Sequence, residues 1–519
     1  MEIIDFNRYA WRKDEKVPGR VYREAGGGEV IEDIWNLTKH GEQNLFLGVY
    51  TTSTVPLSES KLFEHAKSAW TALRWEVPTI ASSTSHIWHG PNKAPTTFIT
   101  YDVGKSAEDV AEWADKTVKI FPDYASKTLD DLRYDVGQDP IPAKDLDLQT
   151  FLYLVPFSDT KFGFLLHTAH TTFDGAAVKI LLTKFLTHFT KYITDAGYLA
   201  AQQDTFKWGT EDANLLPIVT DILRKREPAV LDEQGNVIQE ERPEEYMGGK
   251  EYFETLSDVM NGFVTGGPRA HGFKTFLPFD PSTSKPKTKR FEHIFTVEES
   301  AKIREAGLIA GNKLTVNHLV LASLCLLPIY DSPPAPGTDG LIFLFGLADG
   351  RQRLEKKYRD VLAYPGYCLG VSSLQMPVSI FHNHPPEDKK GLILDFAQAV
   401  KKEYAKQAAY PALLAIQPQE GDLMLQAPPA PPFVGPQYGG DGRGSVYLFP
   451  KYPAEGDTVI EIDHFFVGLN KCDPGPFFRC TEWKGRVIFS IDFNELAVDH
   501  KVVRAWLDTW IELVLALTK

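Results

Sequence analysis

The stretch FGFLLHTAHTTFDGAAVKILLTKFLTHF, residues 162–189, decides how this chain is read. It opens on an apolar run, Phe162 to Leu166, and breaks at a polar knot, His167-Thr168-Ala169-His170-Thr171-Thr172-Phe173-Asp174-Gly175. Val178, Leu181, Leu182, Phe185 and Phe189 then recur at three- and four-residue spacing, the apolar face of a helix. A buried strand thus delivers a histidine and an aspartate to a short turn, and a helix leaves from it. Asp174 sits just before that helix, where a carboxylate meets the positive end of the peptide dipole. Gly175 is expected to supply backbone angles that a side chain resists. Upstream, Thr150–Pro156 and Lys161–Thr168 are β-rich runs split by Ser158-Asp159, so they read as a hairpin with His170 at its exit.

On the residues alone, three readings compete for His170. An imidazole titrates near neutral pH, so His170 can act as general base for an acyl transfer. His167, His170 and Asp174 can form a metal-binding triad, although residues three apart on a strand point to opposite faces. Or His170 is a satisfied core histidine and Asp174 a helix cap.

The 519 residues are too many for one core, so two domains are expected: residues 1–225, a crossover over 226–275, and residues 276–519. A net charge of -14 disfavours nucleic acid and anionic membranes as partners. The start, MEIIDFNRYAWRKDEK, lacks the apolar core of a signal peptide. The longest strongly apolar stretch, Leu319 to Leu327, is far short of a bilayer span. Cys325, Cys368, Cys472 and Cys480 have neither CxxC nor zinc spacing, which suits a reducing compartment. A soluble, cytoplasmic, monomeric protein is expected, with no metal.

Helices are expected near Ser58–Leu73, Ala107–Val118, Thr315–Leu326, Leu392–Ala405 and Lys501–Leu517. Strands are expected at Leu45–Tyr50, Trp75–Ile80, Phe98–Tyr101, Phe291–Thr296, Leu341–Leu347, Val446–Leu448, Thr458–Phe466 and Arg486–Asp492. Gly26-Gly27-Gly28 reads as a turn, Tyr9, Trp11 and Trp35 as packing anchors, and residues 427–444 as a long Pro/Gly-rich loop. There is no GxSxG elbow, no Walker A lysine and no GxGxxG after a strand.

His170-Thr171-Thr172-Phe173-Asp174-Gly175 resembles the HxxxDG motif of the coenzyme-A-dependent acyltransferase superfamily, which includes chloramphenicol acetyltransferase, BAHD acyltransferases and condensation domains. Leu314 to Val320 resembles the superfamily's T-x-N-x-x-L helix start, and Gly350-Arg351 its Gly-Arg pair. Gly366 to Ser373 resembles the strand that follows, with Gly370 in place of asparagine. The likeness runs from about Leu45 to Leu517. The DFGWG motif of BAHD and trichothecene 3-O-acetyltransferases is absent; the loop Gly435 to Gly444 is nearest in position. The chain most resembles fungal secondary-metabolite O-acetyltransferases, trichothecene 15-O-acetyltransferases among them.

This resemblance implies an α/β (α+β) fold of two chloramphenicol-acetyltransferase-like domains, each a mixed sheet flanked by helices, with a tunnel at their interface. It implies acetyl-CoA as co-substrate, a small-molecule alcohol as acceptor, and no permanent cofactor. His170 is the implied general base. Asp174 is implied to shape the loop by pairing with Arg351, in place of a His–Asp dyad. The Gly175 amide and Ser372 or Ser373 are candidates for the oxyanion. Lys285, Lys287, Lys289 and Arg290, the one compact basic cluster, are candidates for the coenzyme A phosphates. A condensation-type enzyme using a carrier-bound acyl thioester is the alternative, and a non-catalytic scaffold a further one.

Overall fold

The hairpin read from the sequence forms with those bounds: Thr150–Pro156 and Lys161–Thr168 pair antiparallel, from Thr150 opposite Thr168 to Pro156 opposite Phe162. Ser158 Oγ turns it, accepting from the amides of Thr160 and Lys161 at 3.2 and 3.0 Å. The computed structural model describes residues 2–90, 93–139, 141, 147–280, 285, 287–309, 313–427 and 433–518.

The hairpin lies inside a six-stranded sheet ordered Lys451–Tyr452, Ile460–Leu469, Leu45–Ser53, Lys161–Thr168, Thr150–Pro156, Val118–Ile120. Only the last pair is parallel. Every residue from Phe162 to Thr168 is buried, because both faces of the sheet are covered. Leu47, Val49, Phe162, Phe164 and Leu166 face the core under the helices Glu59–Glu76 and Gly175–Thr194. Phe46 and Leu165 face the other way, onto the helix Leu129–Val136. The period of two thus sets which side chains reach which layer.

A second layer system follows in sequence. The sheet Thr288–Ile294, Arg486–Asn494, Phe477–Trp483, Gln437–Arg443 is antiparallel except for its last pair. Leu341–Asp349 and Leu369–Pro377 form an antiparallel pair. The helices Val316–Asp331, Lys389–Ala409 and His500–Ala516 bury a shared core with them, including Leu321, Phe396 and Trp510. The first of these helices is buried at every position from Leu319 to Ile329, as its all-round apolar sequence implies.

The structure departs from the sequence reading in several places. Trp75–Ile80 is not a strand. It spans the end of Glu59–Glu76 and a 3-10 turn, Pro78–Ala81, whose proline occupies the first turn. Val446–Leu448 begins inside the 3-10 turn Gly444–Val446. Phe477–Trp483 and the helices Gly28–Thr38, Gly249–Gly266 and Gln417–Gln426 were not expected. Of the Pro/Gly-rich loop, residues 428–432 lie outside the described residues, and Gln437–Arg443 is a strand.

Two strands cross between the halves: Lys451–Tyr452 and Ile460–Leu469 belong to the sheet of the first half. Within 226–275 the hairpin Val230–Leu231/Val237–Gln239 is exposed, but Gly249–Gly266 buries Tyr252, Leu256 and Val259 and packs on Leu369–Pro377. All four cysteines are free and buried. No helix among the described residues is long and apolar enough to cross a membrane.

The strand returned to the first sheet makes a specific demand. Gly48 lies opposite Phe466, and a Cβ at Gly48 would collide with the Phe466 ring. Gly48→Ala is expected to destabilise the protein by about 1–3 kcal/mol through overpacking. Thermal unfolding checks this, and Phe466→Leu in the same chain should recover part of the loss.

Candidate active site

The His170 turn is held from both sides. Ala169 donates its amide to Gln149 O at 3.0 Å, and Thr172 O accepts from the Tyr367 amide at 3.0 Å. Asp174 then caps the helix Gly175–Thr194, its Oδ1 accepting from the amides of Ala176 and Ala177 at 3.0 and 2.7 Å. The same carboxylate accepts from Arg351 Nη2 and Nη1 at 3.0 and 3.1 Å and from the Cys368 amide at 2.8 Å. Asp174 is fully buried. Arg351 gives its other hydrogens to Tyr364 O at 2.9 Å, Gly366 O at 2.7 Å and Asp349 Oδ1 at 3.0 Å. Burial works against that charge, yet Asp174 and Asp349 hold the guanidinium well above its ordinary value. The carboxylate therefore joins the turn of one half to Gly350-Arg351 of the other and is not hydrogen-bonded to the His170 ring.

His170 lines a cavity of about 230 Å³. Its Nδ1 is buried with no hydrogen-bond partner among the described residues. Burial pushes the imidazole down to about 4, against smaller opposing pulls from its own carbonyl and the Asp174 charge. The Tyr367 ring stands edge-on to it, with centroids 5.8 Å apart. His167, three residues earlier, is sealed instead. It stacks on Phe46 at 4.0 Å, both ring nitrogens lack partners, and burial takes it to about 3. Asp174 is committed to Arg351, so His167, His170 and Asp174 do not converge on one point. The strand ends at Thr168, which leaves His167 within the sheet and His170 in the turn beyond it.

Gly175 is present for another reason than the one expected. It is the first residue of the helix, with no left-handed backbone angle. A Cβ there would meet nothing within 4 Å, because the position opens on the cavity. The glycine keeps that space beside His170 empty.

Both halves of the chain wall the cavity. Lys179, one turn along the helix from Gly175, and Arg479, on Phe477–Trp483, are buried and share Asp441. Arg479 Nη1 reaches both Asp441 oxygens at 3.0 and 2.9 Å, and Lys179 Nζ lies 3.5 Å from Oδ2. Two cations on one carboxylate leave net positive charge, and the Arg479 charge helps to lower His170. Glu32 and Glu420 line the same cavity. None of these five was picked out in the sequence, since each comes from a separate element and carries no local pattern.

The remaining sequence candidates lie elsewhere. Ser372 Oγ accepts from Gln407 Nε2 at 3.0 Å, and Ser373 Oγ accepts from Gln375 Nε2 at 2.9 Å; neither lines the cavity. Their strand presents Leu369 and Val371 to it instead. None of the basic cluster lines the cavity either. Lys285 is exposed, 3.7 Å from Asp139. Lys289 Nζ sits 3.9 Å from the centroid of the Tyr134 ring. Arg290 is paired with Glu292 and lies over Phe466.

A family model described as 15-O-acetyltransferase Tri3 matches residues 4–402. A curated relative, "Putative 15-O-acetyltransferase SAT12" of Stachybotrys chartarum (strain CBS 109288 / IBT 7711), is 21% identical over 560 residues, covering 98% of this chain and 90% of the relative. The structure of TRI3 trichothecene 15-O-acetyltransferase from Fusarium sporotrichioides superposes with a TM-score of 0.80 at 19% identity, over 100% of both chains. The first condensation domain of the calcium-dependent antibiotic synthetase gives a TM-score of 0.59 at 11% identity, over 95% of this chain and 96% of that one. The fold is accordingly the two-domain α/β fold that chloramphenicol-acetyltransferase-like and condensation enzymes share. Matched over more than three quarters of its length, the chain belongs to the 15-O-acetyltransferase Tri3 family and is an acyltransferase.

Proposed function

We propose that this protein transfers the acetyl group of acetyl-CoA to the 15-hydroxyl of a trichothecene, with His170 as general base. The observation that carries the reading is a neutral imidazole on a cavity wall, beside an aspartate already bound to Arg351. His170 takes the hydroxyl proton as the alcohol oxygen attacks the thioester carbonyl carbon. The carbonyl oxygen becomes an oxyanion, the C–S bond then breaks, and the departing thiolate receives the proton from His170. Preorganised donors at the oxyanion are the largest single contribution in reactions of this kind. Two features support them here. The Asp174 cap engages the amides of Ala176 and Ala177 and leaves the cavity-lining Gly175 amide at the positive end of the helix. Arg479 and Lys179 add net positive charge to the same wall.

Asp174 and Arg351 act on shape in this reading. His170→Ala is expected to lower kcat about 10²–10⁴-fold with the melting temperature unchanged. Asp174→Ala strands the Arg351 charge and is expected to cost about 3–5 kcal/mol of stability as well as rate. Thiol release from free acetyl-CoA and thermal unfolding measure the two effects; equal stability with both variants inactive would contradict the division.

The pH profile gives a second check. His170 accepts a proton only when neutral, and burial lowers its pKa to about 4. kcat/KM for the alcohol should therefore fall on the acid side only as pH approaches about 4, and His170 should impose no limb near 6.5. A limb near 6.5 that disappears in His170→Ala would show an imidazole in ordinary solvent contact.

A further inference from the structure

The helices Gly28–Thr38 and Gln417–Gln426 form a wall of the cavity to which acetyl transfer assigns no task. They meet through glycine. A Cβ on Gly421 would lie 2.8 Å from Gly27 Cα, and one on Gly27 would lie 2.9 Å from the Gln417 carbonyl oxygen. This close approach brings Glu32 and Glu420 to one cavity, 8% and 3% exposed.

Neither carboxyl has a cation partner among the described residues. Glu32 Oε2 has no hydrogen-bond partner among the described residues. The cations whose charge reaches Glu32 are already committed, Lys471 to Glu42 and Lys39 to Asp473. Glu420 accepts only from Gln417 Nε2, at 2.7 Å. Burial, and then the Glu42 charge, raises Glu32 well above the usual carboxylate range; burial takes Glu420 up to about 8. Both carboxyls are thus disfavoured as anions; each accepts from a hydroxyl in either state and donates when protonated. A buried polar group without a partner costs stability, and an aliphatic side chain would fill the place better. Trp35 and Met424 beside them supply apolar surface.

We propose that Glu32 and Glu420 form a subsite that hydrogen-bonds oxygen substituents of the acceptor other than the hydroxyl being acetylated. The acceptor it fits is a neutral, apolar skeleton carrying several oxygens. The subsite rests on the transfer reading above and adds to it the residues that select the alcohol.

Two probes test it: a trichothecene 15-alcohol bearing further hydroxyls, and the same skeleton with the 15-hydroxyl alone. Calorimetric Kd without acetyl-CoA and KM under turnover are measured for the wild type, Glu32→Gln and Glu32→Leu. Glu32→Leu is expected to weaken the polyhydroxylated alcohol about tenfold, to leave the Kd of the other within about threefold, and to leave KM for acetyl-CoA unaltered. Glu32→Gln, which still donates, should retain most of the affinity. Glu32→Leu should also raise the melting temperature, because the orphaned carboxyl is gone; a structural role would lower it. Equal weakening of both alcohols, or none, overturns the subsite. If the wild type binds the alcohols with this discrimination yet transfers no acetyl group, the transfer reading fails and the subsite stands.

Discussion

The Asp174 carboxylate is the constraint on which the rest of this structure depends. It accepts from two amides of its own helix, two nitrogens of Arg351 and the Cys368 amide. A buried ion needs this degree of satisfaction, because the Coulombic gain alone does not cover the desolvation of both partners. The guanidinium is equally engaged, binding two carbonyls and two carboxylates. The contact spans 177 positions in the chain and crosses between the halves. One pair thus fixes the turn, starts the helix and aligns the two walls of the cavity. A carboxylate spent in this way is not available to orient an imidazole, and the His170 ring is left to its local surroundings.

Those surroundings lower the His170 imidazole by desolvation. A charged partner would stabilise the imidazolium and raise its pKa; burial does the opposite. The comparison with His167 shows how little separates a sealed ring from a usable one. Both are buried and both are driven low, to about 3 and about 4. Three residues of chain move the second past the end of the strand and onto the cavity. The glycine that follows Asp174 then withholds a side chain from the space beside His170. Position relative to the sheet edge, more than titration, distinguishes the two.

The parts of the fold that could be read from the sequence were those whose hydrophobic period faces a solid core. The hairpin and the helix of Val178, Leu181, Phe185 and Phe189 are of this kind, and the bounds of the hairpin agree with the structure. The Asp174–Arg351 contact followed instead from motif likeness and could not follow from spacing. Of the elements that escaped notice, Gly28–Thr38, Gln417–Gln426 and Phe477–Trp483 line the cavity. Gln417–Gln426 buries Pro418, Gln419, Glu420 and Gly421, a set that reads as surface. Gly28–Thr38 begins in a glycine run that reads as a turn, yet Gly28 is required because a Cβ there would strike the Tyr367 hydroxyl. The basic cluster lies away from the cavity and is partly neutralised within its own strand. Residues two apart on a strand share a face, so Glu292 neutralises Arg290 in a way that a count of nearby charges does not reveal.

A cavity reverses the rules by which a core is recognised, and here the reversal is divided between its walls. The wall carrying Lys179 and Arg479 sets two basic side chains against Asp441, with burial lowering Lys179. The wall carrying Glu32 and Glu420 has no cation partner among the described residues, and burial raises both carboxyls. The two sets of groups stand on separate elements around the cavity. That separation requires elements from distant parts of the chain to meet around one space, and the Asp174–Arg351 contact is the buried ion pair that ties the His170 turn to the opposite half.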